Sequence, residues 1–96
     1  MTKDELLETL SSLKHELKQK FGIEEIALFG SYARDEANEE SDVDIAIMKV
    51  DNKDYFNRVQ AKYYLEKLFQ KKVDIGYFDS MRPIIQKYIK KDLIFV

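Results

Sequence analysis

Gly30 and Ser31 are followed, after ten residues, by Asp42 and Asp44, which a single valine separates in the stretch GSYARDEANEESDVD. In an extended chain, side chains two residues apart point to the same face, with Cα atoms roughly 6.5–7 Å apart. Two carboxylates so placed repel each other, and burying them raises a pKa and costs stability. A divalent cation relieves both penalties. Magnesium suits the pair best, because the ligands are hard oxygens, the chain has no cysteine and its one histidine lies far away in sequence. A third carboxylate, Asp74, sits in the middle of the otherwise apolar run KVDIGYF. A charge there either faces a site or a partner, or is simply an edge-strand residue in water. Together, Asp42, Asp44 and Asp74 would suit a two-ion phosphoryl-transfer centre, in which the metals stand about 3.5–4 Å apart and clamp the attacking and leaving oxygens.

Gly30 and Ser31 supply the other half of such a site. Glycine lets the backbone approach a ligand closely, and the amides and hydroxyl that follow can hold phosphate oxygens. A helix starting at Ser31 would add its unpaired N–H groups. Arg34, one turn on, can reach a phosphate or pair with nearby acids such as Asp35 or Glu36. A Gly-Ser dipeptide is a weak signal by itself, and this one lacks the spacing of a P-loop or a dinucleotide-binding glycine motif. The combination with the paired carboxylates and Asp74 raises its weight. In-line phosphoryl transfer depends on positioning and charge neutralisation more than on a protein nucleophile. The missing cysteine and the lack of a Ser-His-Asp set are therefore no obstacle, and His15, off the leucine stripe of its helix, reads as a solvent-facing residue.

The elements that must position these groups can be read from spacing. Thr2 with Glu5 is a capping-box signature, and Leu6, Leu10, Leu13 and Leu17 recur at helical spacing until Gly22 supplies a stop. Residues 25–29 (EIALF) and 43–48 (VDIAIM) read as strands, residues 32–37 as about a turn of helix, and 38–41 as polar loop. Residues 54–70 form a helix that is apolar on two sides, with Ala61, Tyr64, Leu65 and Leu68 on one and Phe56, Val59 and Tyr63 on the other. The second side either lies over the sheet rim or receives a partner. A strand over 72–78 follows, then a helix starting near Ser80 or Pro83 that carries Ile84, Ile85, Tyr88 and Ile89, and an apolar tail from Leu93 to Val96. This order predicts a small mixed sheet flanked by helices, an α+β domain of α/β-like character.

Composition sets the outer bounds. The 96 residues, 45% hydrophobic and 35% charged with net charge −2, predict one soluble globular domain over 1–96. No basic excess supports direct DNA binding, and the pairs Lys71-Lys72 and Lys90-Lys91 read as solvated element ends. The lack of cysteine fits a reducing compartment, and the N-terminus has neither the run of a signal peptide nor that of a membrane span, so a cytoplasmic location is expected.

The element GS, ten residues, DVD resembles the nucleotidyltransferase superfamily of the DNA polymerase β type. More narrowly, "GSYAR…SDVDIAI" is similar to the minimal nucleotidyltransferases, the MntA-type antitoxins that accompany HEPN-domain toxins, and the similarity extends over nearly the whole chain. The resemblance implies a polymerase β-like palm fold in which Gly30 and Ser31 hold the phosphates of ATP, with Arg34 beside them. Asp42 and Asp44 would bind magnesium, and Asp74 would bind metal or activate the acceptor hydroxyl. It implies transfer of AMP to a tyrosine of the cognate HEPN toxin, silencing its ribonuclease. The family often has glycine where this chain has Asp35, which bears on the shape of the turn and the direction of Arg34. Two other readings stay open: a binding module that silences its partner by covering it, and transfer to a small molecule such as an aminoglycoside antibiotic. So few residues leave little to build an acceptor pocket, so the acceptor surface is expected from a partner.

Overall fold

Thr2 opens the first helix as the sequence requires. Its hydroxyl accepts from the Glu5 N–H at 3.1 Å, while the Glu5 carboxylate accepts from the Thr2 N–H at 2.9 Å. The computed structural model describes residues 1–96. Helix α1 (Lys3–Ser12) buries Leu6 and Leu10. One helix to Gly22 was expected, but the chain breaks at Leu13 and continues as α2 (Lys14–Phe21). Hydroxyls weaken the ladder there: Thr9 donates to the Glu5 carbonyl and Ser12 to the Thr9 carbonyl, competing with backbone donors. Leu17 and Phe21 continue the buried stripe, and Gly22 ends α2 in the left-handed region at φ 67°.

The remaining elements are β1 (Ile23–Phe29), α3 (Gly30–Ala33), β2 (Val43–Val50), α4 (Tyr55–Phe69), β3 (Val73–Tyr77), a 3-10 turn (Phe78–Ser80), α5 (Pro83–Lys90) and β4 (Ile94–Phe95). Strands β1 and β2 each run two residues beyond their expected ends, because Ile23 pairs with Val50 across the antiparallel ladder. The short helix starts at Gly30 rather than Tyr32. The sheet order is β3-β2-β1-β4, with β2 and β3 parallel and the other pairs antiparallel. The parallel pair needs a crossover, which α4 supplies.

One sheet face, with Ile26, Leu28, Val43, Ile45, Ile47, Val73 and Ile75, packs on Leu6, Leu10, Leu17, Phe21, Ala61, Leu65 and Phe69 of α1, α2 and α4. Helix α4 is capped by Asp54, whose carboxylate accepts from the N–H groups of Phe56 and Asn57. Leu68, expected inside, is half exposed, and Phe69 takes its place as the i+4 neighbour of Leu65. Tyr64 packs edge-on to Phe21 at 5.7 Å and donates its hydroxyl to Glu16.

Ala27 and Ala46 point to the opposite face, in register with Gly76. With Ile89 they are the buried residues that lie outside the main core. The Met81 methyl stands against Gly76, and the Gln86 amide donates to the carbonyls of Phe78 and Met81. Helix α5 therefore crosses this second face. No helix is long and apolar enough to cross a membrane.

Candidate active site

Two pairings bring the site together. Phe29, the last residue of β1, lies opposite Asp44, so the Gly-Ser turn begins beside that carboxylate. Asp44 is in turn the parallel partner of Asp74, which places the two side chains on one face of adjacent strands about 4.8 Å apart. Asp42 stands just before β2, exposed, rather than within the strand. It is delivered by a loop closed on itself: Ser41 Oγ accepts from the Asn38 N–H at 2.9 Å, and Asn38 Oδ1 accepts from the Glu40 N–H at 2.8 Å. Lys71 Nζ donates to the Glu39 carbonyl at 2.7 Å, and the Val43 N–H to the Lys72 carbonyl at 2.9 Å, tying this loop to the start of β3.

Gly30 has φ 78°, and a Cβ added there would fall well inside van der Waals contact with Asp44 Oδ2 and 3.0 Å from its Cγ. The glycine of the turn is thus in direct contact with the second carboxylate of the pair, and only hydrogen fits between them. Asp44 is half-buried, and burial first, then the charges of Asp74 and Asp42, push its pKa up to about 6. Arg34 pulls the other way. The sequence-predicted acids therefore share one neighbourhood.

Their oxygens do not converge into a ready three-ligand cluster. The donor set is nevertheless all carboxylate oxygen, next to a glycine cradle, and fits a hard divalent cation in Asp42, Asp44 and Asp74. Helix α3 is four residues long and offers the amides of one turn, not an extended dipole.

Arg34 pairs with one of the two acids expected of it, Glu36, and also with a distant one, Asp92. Its Nη1 donates to Asp92 Oδ2 at 2.9 Å, its Nε is 3.6 Å from Glu36 Oε2, and Asp35 is not its partner. Asp92, 58 residues away, was not singled out by sequence reasoning; no local spacing could have found it. The bond to Asp92 holds the Arg34 guanidinium charged and beside the site, with further donors available to a phosphate. A concavity of about 480 Å³ lies at the far end of β2 against Lys53 and Tyr77, away from the carboxylates, and one of about 450 Å³ adjoins Asp42, Lys71 and Lys72.

The profile of the nucleotidyltransferase domain matches residues 10–96. The chain belongs to that family. Among curated relatives of this nucleotidyltransferase, a candidate protein adenylyltransferase of Methanocaldococcus jannaschii, MJ0126, is 38% identical over 99% of this chain and 98% of its own length. The protein adenylyltransferase MntA of Thermococcus cleftensis is 34% identical over 100% of this chain and 97% of its own. A solved candidate minimal nucleotidyltransferase superposes with TM-score 0.78 at 26% identity, covering 98% of this chain and 95% of that one. A toxin-antitoxin crystal structure with AMP-PNP shares the fold at TM-score 0.65 and 22% identity, over 88% of this chain and 64% of that one. The mixed sheet with flanking helices is the minimal nucleotidyltransferase fold, as the GS and DVD element led one to expect.

The Asp35 departure has a geometric reading in this nucleotidyltransferase. Asp35 sits at φ 60°, in the left-handed region that glycine enters without strain. Asp35→Gly is expected to hold or raise stability by up to about 1 kcal/mol, while Asp35→Val lowers it by about 1–2 kcal/mol, read from chemical denaturation midpoints.

Proposed function

We propose that the chain transfers AMP from ATP to a tyrosine hydroxyl of a cognate HEPN-type toxin, with magnesium, in the cytoplasm. The observation that carries the reading is the contact between Gly30 and Asp44, with Asp74 on the adjoining strand and Asp42 two residues before. A phosphate-cradling turn and a cation-binding acid pair are thereby one site. The names of the adenylyltransferase relatives and the toxin-antitoxin structure with AMP-PNP support the donor and the acceptor class.

In this reading Gly30 and Ser31 hold the triphosphate and Arg34 reaches it from the rim. Bound by Asp42, Asp44 and Asp74, magnesium would supply charge neutralisation for the triphosphate and the departing diphosphate. The acceptor oxygen attacks the α-phosphorus, the bond from that phosphorus to the bridging oxygen breaks, and diphosphate leaves. Asp74, exposed at the edge of the sheet, takes the hydroxyl proton on a carboxylate oxygen.

The test is label transfer. Purified chain with α-phosphate-labelled ATP, magnesium and the product of the adjacent reading frame is expected to label that product on tyrosine, and Asp42→Asn to lower the rate about a thousandfold. No label on that protein with any nucleotide would sink the reading. Exposed Tyr55, Phe56 and Tyr63 on α4 favour a second reading, silencing by coverage alone. An Asp42→Asn, Asp44→Asn double variant that still silences the toxin in cells would establish it.

A further inference from the structure

Helix α5 is amphipathic in sequence, yet of its apolar residues only Ile89 is buried. Ile84, Ile85 and Tyr88 are 69%, 45% and 63% exposed, and Phe95 of the adjoining β4 is 55% exposed. Ile84 and Tyr88, one turn apart, flank Lys87 and Lys91 in a shallow open groove of about 380 Å³. Contiguous apolar residues left in water at this size mark a surface that a partner covers.

Position and charge say what covers it. The helix crosses the sheet face that carries Asp44 and Asp74, and two residues past its end Asp92 bonds Arg34 at the rim of the site. In the adenylyl-transfer reading, a macromolecule that brings a hydroxyl to the acid site meets this part of the surface. The other apolar patch, Tyr55, Phe56 and Tyr63, belongs to α4, which packs on the opposite face of the sheet. Around the α5 patch, Arg82, Lys87, Lys90 and Lys91 are exposed, none takes part in an ion pair, and the stretch 82–91 has no acid in a chain of net charge −2. A second copy would set these cations against their own counterparts. A polyanion would meet Asp42, Asp44 and Asp74 next door. An apolar protein surface with an acidic rim meets neither objection.

We propose that the acceptor protein docks on the outer face of α5, its apolar side over Ile84, Ile85 and Tyr88 and its acidic side chains against Arg82, Lys87, Lys90 and Lys91. This rests on the adenylyl-transfer reading and adds the surface through which the acceptor is presented. The docked helix face sets the distance between the acceptor hydroxyl and the α-phosphate.

The experiment uses the labelled-ATP assay with the product of the adjacent reading frame as acceptor, comparing wild type, Ile84→Glu, Lys87→Glu and, on α4, Phe56→Glu. Ile84→Glu and Lys87→Glu are expected to raise the KM for the acceptor at least about tenfold, with ATP affinity of the chain alone and its melting temperature unchanged. Phe56→Glu is expected to transfer as wild type does. The docking proposal is overturned if Ile84→Glu and Lys87→Glu label the acceptor normally, or if Phe56→Glu is the variant that fails. It is overturned equally by a dimer of the chain alone, seen in sedimentation, that Ile84→Glu dissolves. Should wild type itself label nothing, the transfer reading fails and the docking surface falls with it.

Discussion

Asp44→Asn is expected to yield a protein that melts higher than wild type and no longer transfers nucleotide. Burial and the charges of Asp74 and Asp42 hold the Asp44 pKa near 6, against an ordinary 3.8. Between these values the folded chain keeps a proton that the unfolded chain has released, so this residue makes stability fall as pH rises from about 4 through about 6, and it stays lower above. The gap corresponds to about 3 kcal/mol at most, and solvent screening of a half-exposed carboxylate brings it to about 1–2 kcal/mol. Melting in a chelator should therefore show no difference between wild type and Asp44→Asn near pH 4. A gain of roughly 5–10 °C for the variant is expected near pH 7.5. Transfer should drop about a thousandfold or more, because the amide neither binds a hard cation well nor neutralises it. A variant that is both less stable at neutral pH and inactive would show that Asp44 is a structural residue rather than one held at a cost for chemistry.

Gly30→Ala is the second large effect. The new methyl group would have to occupy the space of Asp44 Oδ2, and at φ 78° an L-residue is strained besides. The turn or β2 must move, and a displacement of about 1 Å at such a site costs on the order of a hundredfold in rate. With strain and displacement together, stability is expected to fall by about 2 kcal/mol. Gly76→Ala is the matched control. Its added Cβ meets only the Met81 methyl at 3.8 Å, an ordinary contact, so stability and transfer should stay near wild type. Denaturation midpoints and label transfer on both variants separate a steric requirement at Gly30 from a general intolerance of the sheet to substitution.

The exposed face of α5 and the Arg34–Asp92 bond share a cause. Both belong to the segment that closes the sheet by laying β4 against Ala27 and Leu28. That closure brings a helix rich in lysine and isoleucine to the rim of an acidic site.

Spacing along the chain was enough to identify the candidate chemistry. Gly30, Ser31, Asp42 and Asp44 lie within fifteen residues, and Asp74 stands out because a charge interrupts an apolar alternation. Capping, turn and strand preferences act over a few residues, so the elements could be read with errors of a few positions at their ends. Leu68 and the break at Leu13 were misread because helix faces and hydroxyl competition depend on what is packed nearby. Only the tertiary structure decided that Asp74 lies beside Asp44, that Gly30 touches it, that Arg34 turns to Asp92, and that α5 rather than α4 borders the site. Each of these depends on strand register and crossover, which are set by burying one continuous core, and no local preference encodes contacts between residues thirty or sixty positions apart.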